Sequence, residues 1–249
     1  MTTITATPNT ATGAIVLEIT QTGSIRSITR SNANGVESVR VAAGQIPSAT
    51  TGVTIVTDYE GAVGPNSYTV TTTADTATAT ATLMLDSAWL LVPIAPNYSE
   101  PVSTITDYSA GRETNSTLHT IIGRSDPIVV MGKLGTRTGS LEIWTDSLTD
   151  ANRLVRVFDR GEAVLLKQTV PGMDMYFTAT GIDVSPYSVQ GDATKFRMAV
   201  SYQEVARPYG NLAGALGWTF DALASSYSSF DAVAAAFANF DDLTIQDTL

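Results

Sequence analysis

The sequence predicts a mainly β protein in which two strand-rich regions precede a short helical C-terminal segment. Threonine, alanine, serine and valine dominate the 249 residues, and β-branched and small side chains favour strands and turns over long helices. Short runs of alternating polarity, such as TATATATLML at 76–85, are separated by turn residues. Many short strands at this spacing are typical of antiparallel sandwiches.

Residues 1–100 are expected to form a β-sandwich of the fibronectin or immunoglobulin-like type. About seven short strands can be recognised here, among them AIVLEIT at 14–20 and GVTIVTDYEG at 52–61. Asn34-Gly35 lies between two such runs, which is a strong hairpin signal. The stretch PIAPNYSEPV at 93–102 contains three prolines, and this composition indicates a semi-rigid linker or domain edge.

Residues 101–207 are expected to form a second β domain that contains one helix. The spacing of apolar residues changes from a strand-like to a helical period in SLTDANRLVRVFDRG at 147–161, where these residues fall on one helical face. Ser147 or Thr149 can cap the start of this helix, and Gly161 can end it. The residues predicted for its buried face are Ala151, Leu154, Val157 and Phe158.

This second region resembles the minor tail proteins of long-tailed actinobacteriophages, a family similar to distal tail and tail-tube proteins. The resemblance extends over residues 123–168 and over the strands MYFTATGIDVSP and RMAVSYQEVARP. The matching positions are Gly123-Arg124, Pro127, Arg137-Thr138-Gly139, Gly161 and Glu204-Val205. The resemblance implies a split β-barrel of the tail-tube and distal-tail type for residues 101–207.

The same resemblance implies a structural, non-enzymatic protein of the phage tail tip. Copies of the chain would form a ring, expected to be a hexamer, that joins the tail tube to the baseplate or adhesion apparatus. Its other partners would be the tail tube, the tape measure protein and further tail-tip proteins. The chain would be assembled in the host cytoplasm and reside in the virion tail. The alternative function is a carbohydrate-binding adhesion module of the tail.

Residues 208–249 end in three copies of a ten-residue unit. Each copy begins with a capping residue, a phenylalanine and an aspartate, as in Thr219-Phe220-Asp221 and Ser229-Phe230-Asp231. The apolar spacing within a unit is helical. Ten residues turn a helix by roughly 1000°, so the apolar stripe is displaced by about 80° from one unit to the next. Short helices that restart at each cap are therefore predicted instead of one long helix.

Helices this short need a surface to lie on, because they are unstable alone in water. Packing on their own domain, docking on a neighbouring subunit and disorder are all compatible with the pattern. The segment 211–249 contains five Asp and no Lys or Arg, so a basic partner surface would complement it. The candidate partner-docking residues are Phe220, Tyr227, Phe230, Phe237 and Phe240.

Composition argues against several functional classes. The net charge of −10 is unsuited to binding nucleic acid through its phosphates. There is no cysteine and a single histidine, His119, so sites built on thiolates or paired imidazoles are impossible within one chain. The start lacks a secretory signal, and no apolar run is long enough for a membrane span. We expect a soluble protein, made without export, without cofactor or metal.

Candidate catalytic groups are few. Asp58 and Glu60 share a strand face, and paired acids can hydrolyse glycosides only across a suitable cleft. Ser125 is not in a nucleophile elbow, because position 127 is proline where the G-x-S-x-G motif requires glycine. The glycine-rich stretch around Lys133 is not a phosphate-binding loop, because Leu134 stands where that motif requires Ser or Thr. His119 is expected on a strand surface. Three tryptophans could stack on sugars: Trp89, Trp144 and Trp218. Core positions are expected for Trp89 and Trp144, because both lie on apolar strands.

Overall fold

The computed structural model describes residues 1–42, 45–46, 50–187, 195–212, 223 and 227–236. Seven antiparallel strands form the first region, in two sheets with the orders β1-β2-β5 and β4-β3-β6-β7. The strands are β1 (Thr3–Asn9), β2 (Ala14–Thr22), β3 (Ile25–Asn32), β4 (Gly35–Ser38), β5 (Thr51–Asp58), β6 (Gly64–Thr72) and β7 (Thr76–Leu83).

The two sheets of this front sandwich bury one apolar core between them. Alternate residues of β2 point inward, so Ile15, Leu17 and Ile19 are buried because successive side chains of a strand face opposite sides. They pack with Val56 of β5 and Tyr68 of β6 in the same cluster. The sandwich-like arrangement that the strand spacing predicted is therefore confirmed.

The second region is one seven-stranded antiparallel sheet with the order β10-β13-β16-β15-β14-β8-β9. Its strands are β8 (Ala88–Leu91), β9 (Glu100–Val102), β10 (Thr104–Gly111), β13 (Thr138–Thr145), β14 (Val164–Lys167), β15 (Met175–Tyr187) and β16 (Lys195–Glu204). A 3-10 turn, Pro96–Tyr98, joins β8 to β9. Strand β8 belongs to this sheet because it is hydrogen-bonded to β14. The second region therefore begins before residue 100, earlier than the boundary expected from the sequence.

One helix, α1 (Leu148–Asp159), packs on this sheet. Ser147 caps it by accepting a hydrogen bond from the amide of Asp150. Gly161 follows its end with a φ of 67°, a conformation that glycine adopts without steric cost. The four residues predicted for the buried face are all buried, so the helix prediction is confirmed: Ala151, Leu154, Val157 and Phe158.

The mainly β class is confirmed, and none of the described sheets closes into a barrel. The split barrel implied by the resemblance is thus an open sheet with α1 on one face. Between β10 and β13 the chain forms a separate two-stranded hairpin of β11 (Thr117–His119) and β12 (Ile128–Val130). A second helix, α2 (Phe230–Ala236), lies in the middle copy of the C-terminal repeat.

The cap predicted for that repeat copy is present. The hydroxyl of Ser229 accepts a hydrogen bond from the amide of Ala232 at 3.2 Å, which is the geometry of an N-cap residue. The backbone oxygen of Ser229 accepts the amide of Val233, also at 3.2 Å. A short helix therefore starts at Phe230 as predicted, whereas the corresponding starts at Thr219 and Asn239 lie outside the described residues.

Candidate functional site

A buried charged cluster joins the front sandwich to the seven-stranded sheet. At its front end Arg30 of β3 donates from Nη1 to both oxygens of Asp58, at 2.7 and 2.9 Å. The hydroxyl of Tyr68 donates to the same carboxylate at 2.8 Å. All three side chains are buried. Buried charges are tolerated when each is paired and hydrogen-bonded, and Asp58 meets both conditions.

Glu60 is the point at which the two regions meet. From the front sandwich, Arg40 donates to it at 3.2 Å through both Nε and Nη2. From the second region, the hydroxyl of Tyr176 donates at 2.9 Å and Nε of Arg207 at 3.1 Å. Arg207 also lies 3.1 Å from Glu37 of β4. One buried carboxylate thereby fastens β15 and the chain after β16 to the front sandwich.

The electrostatics of Glu60 favour its charged form. Burial alone raises the pKa of this carboxyl, but the hydrogen-bonded guanidinium groups of Arg207 and Arg40 outweigh it and lower the pKa below its ordinary value. A carboxylate of this kind is a poor proton donor near neutral pH. The sequence suggested Asp58 and Glu60 as a possible acid pair, and the structure gives each of them arginine and tyrosine partners instead.

Lys167 adds a second link between the regions. Its side chain is fully buried on β14, and Nζ donates to the carbonyl oxygens of Gly13 and Tyr59, both at 2.6 Å. Burial lowers its pKa to about 8, although the charges of Asp58 and Asp174 partly offset that effect. Nothing in the sequence around Lys167 distinguishes it from a solvated lysine, so sequence analysis missed this contact.

A cleft of about 390 Å³ lies at this junction. Its charges are balanced, because Arg30, Arg137 and Arg207 face Glu37, Asp174 and Glu204. Arg137 donates to Glu204 at 2.8 Å, and Asn34 donates to Asp174 across the junction at 2.7 Å. The charged side chains that line the cleft therefore pair mainly with each other, and the junction is best described as a structural interface between the two β regions.

The most exposed apolar surface belongs to the hairpin of β11 and β12, which we call the arm (residues 112–136). Its side chains stand clear of the body, with Leu118 63% exposed and Ile122 104% exposed. The other large apolar residues exposed on the arm are Ile121, Ile128, Val129, Val130, Met131 and Leu134. Such a patch marks an interaction site or an aggregation hazard.

Both faces of the arm are apolar. Leu118 is paired with Val129, and the neighbouring pairs are Thr117 with Val130 and His119 with Ile128. Directly opposed residues share a face and successive pairs alternate, so Leu118 and Val129 lie on one side and Ile128 and Val130 on the other. Within the described chain the arm pairs with no further strand, and an isolated two-stranded hairpin is only marginally stable in water.

The sequence pattern of the arm does not reveal how exposed its strands are. The runs Ile121-Ile122 and Ile128-Val129-Val130-Met131 do not alternate with polar residues, and short continuous apolar runs usually indicate buried strands. The runs flank the turn at Gly123, where φ is 90°. Apolar runs on both sides of one tight turn were the signal available in the sequence for this exposed arm.

Of the five docking candidates, the structure describes two. Phe230 begins α2 and is 81% exposed, so the part of the chain that the structure describes leaves most of its ring uncovered. Tyr227 is partly buried, and its amide donates to the carbonyl of Leu223 at 3.0 Å. The ring of Phe230 is therefore exposed among the described residues, and its docking role stays a prediction. The other three candidates lie outside the described residues: Phe220, Phe237 and Phe240.

The remaining candidate residues occupy ordinary structural positions. His119, Ser125 and Lys133 are exposed on the arm. Trp144 is half-buried, with its ring edge-on to Tyr187 at 5.5 Å between centroids. Trp89 is likewise half-buried, close to the backbone at Gly13, so neither tryptophan is a fully buried core residue. Trp218 lies outside the described residues.

Two searches of the described residues found no further type of site. No group of three or more His, Asp or Glu side chains in the described ranges is placed to hold a metal ion. Among the helices of that part of the chain, none has the length and apolar character needed to cross a membrane.

The comparisons with known proteins do not extend this picture. No protein-family model matches the chain, and a search of curated proteins finds no significant match.

Proposed function

We propose that this chain is a non-enzymatic structural component of a bacteriophage tail tip that assembles with copies of itself into a ring. The resemblance of residues 123–168 to minor tail proteins supplies the phage context. The observation that carries the proposal is the arm, which exposes large apolar side chains on both faces. A marginally stable hairpin of this composition is stabilised when a neighbouring subunit covers it.

The junction supports a structural role. Glu60 and Lys167 connect the two β regions through buried, charge-assisted hydrogen bonds, which are among the stronger polar contacts in proteins. A building block of a ring benefits from such a connection, because a rigid body presents its arm to the neighbour in one orientation. One protruding arm that contacts a different surface on the next copy makes a heterologous interface, and such an interface gives a ring when the rotation between copies closes.

The adhesion-module alternative has less support. Residues 1–85 contain only two aromatic residues, Tyr59 and Tyr68. Tyr68 is buried and hydrogen-bonded to Asp58, and Tyr59 is half-buried. The front sandwich therefore lacks the exposed aromatic platform on which a sugar-binding face commonly depends. The outward side chains of β7 are threonines, and those of β5 include Val53 and Ile55.

The test compares the assembly state of the full chain with that of two matched variants. Mass photometry and negative-stain imaging are expected to show closed rings for the wild type. Ile122→Glu places a charge on the arm and is expected to shift the population to monomers. Val53→Glu makes the same change at an exposed valine of the front sandwich and should leave the rings intact. Circular dichroism checks that both variants fold.

Two results would contradict the proposal. One is a wild-type chain that stays monomeric at its highest soluble concentration and is missing from purified phage particles by mass spectrometry. The other is equal assembly of wild type and Ile122→Glu, since the arm would then have no role in association.

A further inference from the structure

We propose that the arm of one copy is covered by the C-terminal segment (residues 211–249) of a second copy. This inference rests on the proposed self-assembly and names the two surfaces that meet. The occupant is the aromatic and acidic repeat of the same chain. Three observations support this contact: apolar side chains on both partners, opposite charge, and the exposure of both surfaces among the described residues of one chain.

The apolar surfaces match in kind. The arm exposes only aliphatic side chains and Met131 as its large apolar groups, whereas the described part of the C-terminal segment exposes the aromatic ring of Phe230. The repeat places a phenylalanine at the same position of the copies before and after it, at Phe220 and Phe240. Rings that pack against aliphatic and thioether side chains bury large areas, and sulfur–aromatic contacts add to that stabilisation.

The charges are complementary. The arm contains three basic residues, Arg112, Arg124 and Lys133, against two acidic ones, Glu113 and Asp126. The C-terminal segment has five Asp and no basic residue. Potentials of opposite sign steer two surfaces together and disfavour other pairings. The arm's excess of one basic residue is therefore opposite in sign to the charge of the C-terminal segment.

Lys133 is the clearest candidate for a partner of these aspartates. Arg124 already has Asp126 at 2.8 Å, and Arg112 has Glu204 at 3.9 Å. Lys133 is exposed, and among the described residues no carboxylate pairs with it within 4.0 Å. Asp231, in the first turn of α2, is likewise exposed beside Phe230. An apolar contact through Phe230 would bring these two opposite charges to the same interface.

We place the pairing between copies because both surfaces are exposed in the part of the chain that the structure describes. Phe230 is 81% exposed and Leu118 is 63% exposed in the same molecule. The start of the segment is held on the front sandwich instead: Arg40 donates to the carbonyl oxygens of Pro208 and Gly210, and the amide of Leu212 donates to the carbonyl of Val41 at 3.1 Å.

Zero-length carbodiimide crosslinking can test this contact in the full chain. The sequence has only three lysines, and they make a built-in set of controls. Lys167 is buried and should not react. Lys195 lies 3.1 Å from Asp146 and should give a link within one copy. Lys133 should link to an aspartate of the C-terminal segment, and in a mixture of ¹⁴N- and ¹⁵N-labelled protein that link should join a light copy to a heavy one.

Charge reversal gives a second measurement. Lys133→Glu and Asp231→Lys should each weaken association about two- to fivefold, the effect of losing one exposed ion pair, and the double variant should recover part of that loss. Lys133→Arg keeps the charge and should assemble normally while losing the crosslink. Phe230→Ser should weaken association, whereas Tyr209→Ser, a change at an exposed ring outside both surfaces, should not.

The outcomes separate the two proposals. Rings that form without a light-to-heavy link between Lys133 and the C-terminal segment would overturn this inference and leave the proposed function standing. Links of Lys133 to that segment found only within one isotope label would also overturn it. A chain that does not associate at all would overturn the proposed function, and with it the inference.

Discussion

Lys167 donates a hydrogen bond to the carbonyl oxygen of Tyr59 at 2.6 Å, from a side chain with no solvent exposure. The two residues belong to different β regions, so the contact holds β14 against the turn after β5. A second carbonyl, that of Gly13, accepts from the same nitrogen. When the amine loses its extra proton it retains two hydrogens, so it can keep both contacts without the cost of burying a charge.

The protein is therefore expected to become more stable as pH rises from neutral to mildly alkaline values. Burial lowers the pKa of Lys167 from 10.5 to about 8. Between these two values the unfolded chain holds the lysine proton and the folded chain has released it, so the free energy of unfolding increases with pH. The gain from about pH 7.5 to about pH 9.5 should be on the order of 2 kcal/mol, measured by urea unfolding.

Lys167→Met is the control for this pH effect, because it removes the titrating group. Its free energy of unfolding should be nearly independent of pH over the same interval. The range stops below the titration of Tyr68 and Tyr176, whose pKa values are raised by burial and by the neighbouring Asp58 and Glu60 carboxylates respectively. Equal slopes for the variant and the wild type would show that Lys167 is not the source.

Glu60→Gln is expected to destabilise the junction strongly. The change removes the carboxylate that pairs with the buried guanidinium of Arg40, and it leaves Arg207 with only the more exposed Glu37. Removing one partner of a buried ion pair costs about 3–5 kcal/mol. Glu37→Gln is the matched variant, because Glu37 binds Arg30 and Arg207 from a more exposed position and should cost about 1 kcal/mol or less. If chemical denaturation gave the two variants equal losses of unfolding free energy, Glu60 would not be the main ionic contact of the junction.

Phe158→Ala is expected to cost about 3–5 kcal/mol of unfolding free energy, the range for truncating a buried aromatic ring. Phe158 packs from α1 against Phe177 of the sheet, with 6.1 Å between ring centroids. Leu148→Ala, at an exposed position of the same helix, should change the melting temperature little. An unchanged melting curve for Phe158→Ala would mean that α1 does not pack on the sheet in this way.

Gly139→Ala is expected to disrupt the pairing of β10 with β13. A Cβ at Gly139 would overlap the backbone carbonyl oxygen of Ser109, and a backbone atom cannot move aside as a side chain can. At Gly111, on the partner strand, the nearest atom to an added Cβ is 3.7 Å away, so Gly111→Ala should be tolerated. Hydrogen exchange of the β10 and β13 amides should report the difference, and similar protection in both variants would count against it.

The resemblance named Gly139 as part of its Arg-x-Gly motif, and the structure supplies a reason for a small residue there: the backbone of β10 passes too close for a Cβ. The helix α1 was also predictable, because its cap Ser147, its apolar face and its terminator Gly161 all lie within fifteen residues of sequence. Local signals of this kind depend only on the nearest turns of chain.

The sequence alone determined the mainly β class, the position of α1 and the helical start at Ser229, since each depends on neighbouring residues. Only the tertiary structure decided that Lys167 and Glu60 lie at a buried junction and that Ile122 projects into solvent. Their partners come from distant parts of the chain: Gly13 lies 154 residues before Lys167, and Arg207 lies 147 residues after Glu60. A side chain's burial depends on what packs over it, and no local periodicity records whether that cover comes from the same chain or from another copy.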